Sequence, residues 1–257
     1  MEVSIEEKIR SQLEAQQGKI SFLYKNLISG KRITFQENLK MEAASVIKIP
    51  IMVEAFRQIE GGRISGDQTY KLREEDKRPS CGILNRLHGG IELTNLDLIN
   101  MMITLSDNTA TNILIELLGM EQINLTMKDY GLCEIEVNRL LFDPMAKSRG
   151  IENYVSAANI GWLLEQMYGK NLISGPASIE MLDILKEQRL NGKIPFFFKE
   201  KIDIAHKTGE DDGITHDVGI VFGNEPFLIC FLGNETNTPS FERLMQEITW
   251  ELYVAGM

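Results

Sequence analysis

What most constrains this chain is where its hydrophobic period changes. Near the N-terminus the apolar residues alternate, with Ile20, Phe22 and Tyr24 inside Lys19 to Leu27, answered by Lys31 to Phe35 across Ser29-Gly30. That pattern predicts a β-hairpin. From Ser45 the repeat lengthens: Ile47, Ile51, Met52, Ala55, Phe56 and Ile59 recur at helical spacing until Gly61-Gly62. Helical spacing continues with two interruptions from Glu92 to Gly131, and again over Ser156 to Tyr168 and Pro176 to Gln188. Period two then returns in Ile202 to His206, Asp217 to Phe222 and Phe227 to Leu232. A short helix capped by Ser4 opens the chain, and another over Phe241 to Val254 closes it. Strands at both ends with helices between them predict an α+β fold, in which the terminal segments build one sheet and a helical block is inserted into it.

Composition sets the class. A chain of 257 residues with 43% hydrophobic and 25% charged residues is ordinary globular protein, long enough for one catalytic unit with a substantial core. Lys plus Arg against Asp plus Glu is 27 − 37 = −10, a surface that repels polyphosphate and anionic lipid. Neither nucleic acid nor a membrane is therefore expected as a partner. No run of apolar residues is long enough to span a bilayer. Met1 to Ile20 carries no apolar core behind basic residues, so a cytoplasmic protein is expected, or a secreted or periplasmic one if a leader has been removed. Cys81, Cys133 and Cys230 have no ligand spacing, so no metal or other cofactor is expected and the three thiols are read as small core residues. Between Cys133 and Tyr154 periodicity fades around Pro144 and Gly150, and a loop of that length is usually functional.

Three short motifs carry chemistry. Ser45-Val46-Ile47-Lys48 begins a helix, where one turn brings a lysine amine beside a serine hydroxyl. A serine is a poor nucleophile until a neighbouring base accepts its proton, and a helix N-terminus offers N–H groups to a developing oxyanion. On its own the motif is weak, since roughly one SxxK arises by chance in a chain this long. Ser106-Asp107-Asn108 separates two apolar helices and could relay a proton and orient a substrate amide. Lys207-Thr208-Gly209 ends the strand that starts at Ile202, offering positive charge, a hydroxyl and a close backbone approach. Each has a bland reading, respectively a capped helix with a solvated lysine, a helix break and a surface strand end. Their joint occurrence in this order does not.

In that order and setting the motifs resemble those of the penicillin-interacting serine hydrolases. The text Ser106-Asp107-Asn108-Thr109-Ala110-Thr111-Asn112, with Ser156-Ala157-Ala158 before a helix, is most similar to class A β-lactamases. The resemblance implies an antiparallel sheet flanked by the N- and C-terminal helices (1–44 plus 190–257) and a helical lobe (45–189). It implies Ser45 as nucleophile, Lys48 as its proton acceptor and Ser106 as proton donor to the leaving nitrogen. Asn108 would hold the substrate amide, Lys207 and Thr208 would face the substrate carboxylate, and Gly209 would let the backbone approach the substrate closely. Backbone N–H groups of Ser45 and Glu210 would form the oxyanion hole. The implied partner is a small acyl substrate, a β-lactam or a related amide or ester.

The match departs from the family at two places. Where class A enzymes carry the glutamate and asparagine that activate the deacylating water, the count from Gly131 places Leu141 and Met145. Asp143 lies two residues away, while Glu136 and Glu152 are more remote. After the KTG come Glu210-Asp211-Asp212, and His216 falls near a position where an arginine often binds the substrate carboxylate. Two like charges at about 4 Å cost on the order of 4 kcal/mol at an effective dielectric of 20, so inward-pointing acids would hinder an anionic substrate. Two other readings therefore remain open: a peptidase, esterase or amidase with another substrate, and a sensor that keeps its penicilloyl adduct.

Overall fold

The computed structural model describes residues 4–198 and 202–256. In chain order the elements are α1 (Ile5–Glu14), β1 (Lys19–Asn26), β2 (Arg32–Phe35), β3 (Met41–Glu42), a 3-10 turn (Ala44–Ile47), α2 (Lys48–Glu60) and β4 (Thr69–Lys71). They continue through β5 (Glu92–Thr94), α3 (Asn95–Thr104), α4 (Asn108–Leu118), α5 (Met120–Asp129), α6 (Pro144–Ser148) and β6 (Tyr154–Val155). The chain ends with α7 (Ala157–Tyr168), α8 (Gly175–Lys186), β7 (Ile204–Asp211), β8 (Ile214–Val221), β9 (Phe227–Asn234) and α9 (Thr238–Val254).

The chain divides into two compact units: 1–46 with 155–166 and 191–257, and 47–154 with 167–190. Residues 155–166, expected with the helices, fall with the sheet. Gly161 of α7 packs so closely on Leu23 of β1 that a Cβ there would lie 2.3 Å from the leucine side chain.

In the first unit five strands form one antiparallel sheet in the order β2-β1-β9-β8-β7. The N-terminal hairpin joins the C-terminal strands along the whole of β1, from Lys19 opposite Asn234 to Asn26 opposite Phe227. Ser4 starts α1 with a capping box, its hydroxyl accepting from the Glu7 N–H while the Glu7 carboxylate accepts from the Ser4 N–H. Ile9 and Leu13 of α1 and Phe241, Met245, Ile248 and Leu252 of α9 then close over Phe22, Tyr24, Ile229 and Phe231 in one core.

The C-terminal strands run further than their apolar alternation suggests. Strand β7 reaches Asp211, so Lys207-Thr208-Gly209 lies inside the strand and does not end it. Glycine and successive acids are poor strand formers, and here pairing with β8 overrides them. At Gly219 a Cβ would stand 2.3 Å from the Ala205 carbonyl oxygen, so β7 and β8 come together only around a bare backbone.

The second unit is built on α2, which packs against α3, α4, α5 and α8. Its buried carboxylate, Glu54, is satisfied by Arg57, Gln58 and Thr126 at 2.7 Å each. A capping box on Thr94 starts α3, and Asp107 caps α4. The thiols only partly follow expectation: Cys230 is buried in β9, but Cys81 and Cys133 are exposed because both sit in aperiodic loops. No helix among the described residues is long and apolar enough to cross a membrane. Replacing Gly219 by alanine should lower unfolding stability by about 1–3 kcal/mol through this backbone clash, measured by urea titration. An unchanged midpoint would mean that the two strands have slack.

Candidate active site

In the first unit Ser45 sits in the 3-10 turn Ala44–Ile47, after Ala44 in the left-handed region at φ 40°. A non-glycine residue held there is strained, and such strain concentrates at functional sites. Ser45 does not cap α2, whose N-cap is Ile47. Gly209 lies against this turn: a Cβ on it would be 3.3 Å from the Ser45 nitrogen and 3.2 Å from Val46 Cγ2. The KTG glycine thus lets the backbones of β7 and the serine turn approach. Strand β7 is also the sheet edge, so alternate backbone amides turn away from β8. Lys207 and Thr208 are both buried, with Lys207 Nζ donating to the Thr208 carbonyl at 2.8 Å.

His216 has other work than the one expected of it. It is wholly buried; Nε2 meets the Glu42 carbonyl at 2.8 Å and the Gly233 N–H donates to Nδ1 at 3.1 Å. Those bonds fix the neutral tautomer with the proton on Nε2 and commit both ring nitrogens to backbone. Burial, reinforced by the nearby charge of Lys193, pushes its pKa down to about 4, although the bond to Glu42 opposes the shift. His216 therefore fastens β8 to Glu42 and Gly233 and supplies no cation for a substrate carboxylate. The neighbouring strand holds a second buried histidine, His206, with Nδ1 2.9 Å from Asp217 and Nε2 2.9 Å from Asn191. Of the three acids after the KTG, Glu210 pairs with Lys193 at 2.9 Å, and Asp211 and Asp212 are exposed at the strand end.

In the second unit Lys48 is fully buried, contrary to the solvated lysine of the bland reading. Its Nζ donates to the Ser106 carbonyl at 2.8 Å, to Ser106 Oγ at 2.9 Å and to Asn108 Oδ1 at 2.9 Å. Ser106 adopts φ 53°, which turns its carbonyl and hydroxyl toward one ammonium. The Asn108 amide donates its other end to the Pro79 carbonyl at 3.3 Å. Asp107 is the motif's scaffold: one carboxylate oxygen caps α4 at Ala110, and the other takes the N–H groups of Ile83 and Leu84 at 2.7 and 2.9 Å.

The long loop of this unit is closed by Arg139 and Glu152, 2.8 Å apart, and by the Asn153 amide bridging the backbone of Asn138 and Arg139. Asn112, one turn beyond Asn108 on the same face of α4, holds Leu141 at both backbone atoms. It accepts from the Leu141 N–H at 2.8 Å and donates to the Leu141 carbonyl at 2.9 Å. Leu141 is buried, whereas Met145 is 66% exposed, so only the leucine can exclude water. Asp143 caps α6 by accepting from the Ala146 N–H at 2.9 Å. Glu136 accepts from Asn138 Nδ2 at 3.1 Å, and Glu152 is taken by Arg139. Two polar roles, that of Asn112 in this loop and that of Lys193 in the first unit, were not assigned from the sequence. Asn112 was legible from its spacing to Asn108; Lys193, alone after Asn191-Gly192, gave no signal. Among the described residues no cluster of His, Cys, Asp and Glu could hold a metal ion.

A family model described as the Beta-lactamase enzyme family matches residues 4–255. The chain belongs to that family. It is thus a serine hydrolase of β-lactamase type, as the motifs implied. It is 26% identical to the β-lactamase VEB-1 of Pseudomonas aeruginosa, over 96% of this chain and 89% of that protein. Among solved structures, a β-lactamase from Sphaerobacter thermophilus superposes with a TM-score of 0.89 at 26% identity, covering 100% of this chain and 98% of that one. PBP-A superposes at 0.88 with 25% identity, covering 98% and 95%. A leucine-to-glutamate variant of PBP-A, determined as an acyl-enzyme complex with penicillin G, superposes at 0.85 with the same identity and coverages. The α+β sheet-and-helix fold expected from the sequence is the β-lactamase fold.

The burial of His216 has a consequence for stability within this family member. The unfolded chain binds a proton on this residue below pH 6.5, whereas the folded chain does so only near 4. The histidine's contribution is complete above pH 6.5 and falls by about 3 kcal/mol as the pH drops toward 4. Denaturant titrations of wild type and His216→Gln between pH 7 and 4 should show wild type losing more stability by about that amount. Parallel pH profiles would contradict the assignment.

Proposed function

We propose that this chain opens β-lactams by acylating Ser45 and releases the product slowly. The observation that carries the first half is the buried contact of Lys48 Nζ with Ser106 Oγ at 2.9 Å, a direct path for a proton. In the step that forms the bond Lys48 acts as the neutral amine: Ser45 Oγ attacks the lactam carbonyl and passes its proton to the Lys48 lone pair, one helical turn along the chain. The backbone N–H groups of Ser45 and Glu210 stabilise the oxyanion. On collapse the carbon–nitrogen bond breaks, and Ser106 gives a proton to the leaving nitrogen while Lys48 reprotonates Ser106. Lys207 and Thr208 take the substrate carboxylate, and Asn108 exchanges its bond to Pro79 for the substrate amide. The penicillin G acyl-enzyme of the PBP-A variant supports this substrate class.

Slow release rests on Leu141. Asn112 grips this residue by its backbone, so the side chain at this point of the loop is fixed, and it is a hydrocarbon. Asp143, the nearest carboxylate in sequence, is occupied as a helix cap. The ester then meets no water activated by a carboxylate. In this reading the chain traps penicillin far longer than a β-lactamase that turns over.

Benzylpenicillin should add its own mass once per chain on the peptide that carries Ser45, and Ser45→Ala should abolish the adduct. Labelling that survives Ser45→Ala would remove the serine from the mechanism. Lys48→Ala should slow adduct formation by roughly 10²–10⁴-fold. A variant acylating at the wild-type rate would exclude Lys48 as the proton acceptor.

Leu141→Glu should shorten the lifetime of the adduct with little change in its rate of formation, because Asn112 acts on the backbone and would hold the new carboxylate equally well. Burying that carboxylate costs a few kcal/mol at most, about the penalty for a partly compensated polar group. A double variant with Met145→Asn should gain little more, since residue 145 is exposed. Loss of turnover in Asp143→Asn, from a wild type that turns over rapidly, would make Asp143 the base.

A further inference from the structure

We propose that Lys193 is a positioning residue that offsets the charge of Glu210 and holds the Gly209–Glu210 end of β7 in the conformation that serves Ser45. The inference rests on the acylation of Ser45 argued above. Lys193 belongs to no motif and lies in the irregular stretch before β7, yet its side chain is only 4% exposed. A buried ammonium persists only where its three N–H groups find acceptors.

Four oxygens surround it. Two are backbone carbonyls of one rung of the sheet, Gly209 at 3.5 Å and His216 at 3.2 Å. The others are carboxylates, Glu210 at 2.9 Å and Glu242 at 3.7 Å, the latter also accepting from Thr215 Oγ1 at 2.8 Å. One cation therefore ties β7, β8 and the N-terminal part of α9 together. The rung it grips contains Gly209, the residue packed against the Ser45 nitrogen, and the next residue supplies the second oxyanion N–H in the proposed mechanism.

The same contact answers the charge problem posed by the sequence. Three carboxylates in a row would repel a substrate carboxylate bound at Lys207 and Thr208. Lys193, shared with Glu242, offsets part of the charge of Glu210, and all three acids are exposed to solvent, which screens what remains. The placement of Lys193 does not depend on its own ammonium. Its neighbours are fastened separately, Asn191 to His206 at 2.9 Å and the Ile194 N–H to Asp217 at 2.9 Å. Removing the charge should thus leave the segment in place.

Lys193→Met should lower the rate of acylation by benzylpenicillin at least tenfold, and Lys193→Arg should keep most of the wild-type rate. Adding Glu210→Gln to Lys193→Met should restore much of the loss, because it removes the carboxylate left uncompensated; a purely structural lysine would not be rescued in this way. Amide hydrogen exchange, which needs no substrate, should accelerate at Gly209 and Glu210 in Lys193→Met. If Lys193→Met does not fold, Lys193→Gln keeps a donor without the charge and carries the same test. Wild-type rates or unchanged exchange in the uncharged variant would overturn the proposal, as would a double variant no faster than the single one. A wild type that benzylpenicillin never acylates would instead overturn the reading of Ser45, while the exchange data would still decide the role of Lys193.

Discussion

A fully buried ammonium organises the helical unit. Lys48 can be dry only if oxygens face it, and supplying them dictates the local chain: Ser106 takes a left-handed backbone to direct two oxygens at Nζ, and Asn108 adds a third. Those positions require the break between α3 and α4, and Asp107 secures it by capping α4 with one oxygen and binding the Ile83 and Leu84 amides with the other. The motif is therefore one electrostatic assembly around a lysine. Removing a single acceptor would leave a buried charge partly uncompensated, which costs far more than an exposed polar contact.

From the same helix the network reaches the long loop. Asn112 repeats the geometry of Asn108 one turn later, but it binds a backbone and leaves the side chain of its partner open to choice. The loop's position is thus independent of the chemistry at residue 141. A scaffold of this kind can carry a base or a hydrocarbon without refolding, and here it carries leucine. In the proposed mechanism, acylation and deacylation thus fall to separable parts of the protein.

Much of the molecule was legible in its sequence because period and caps report local physics. Ser4, Thr94 and Asp107 mark helix starts, and the return to period two from residue 202 marks the strands. What escaped depends on tertiary pairing. Strand β7 extends through Gly209, Glu210 and Asp211 because β8 pairs with it, against their propensity. Along β8 every position is buried, including Thr215, His216 and Asp217, so the strand shows no polar face from which its start could be read. His216, placed by the sequence near a carboxylate-binding position, is a dry imidazole with both nitrogens bonded to backbone and stays neutral. Lys193 was invisible for the same reason, its acceptors being far away in sequence.

The separation of the two chemical steps is the centre of this account, and burst kinetics measure it most directly. A chromogenic cephalosporin mixed with the wild-type chain should give a rapid rise equal to one product per chain, followed by a steady phase slower by orders of magnitude. A linear course with many turnovers and no burst would show that deacylation keeps pace, and would contradict the role given to Leu141.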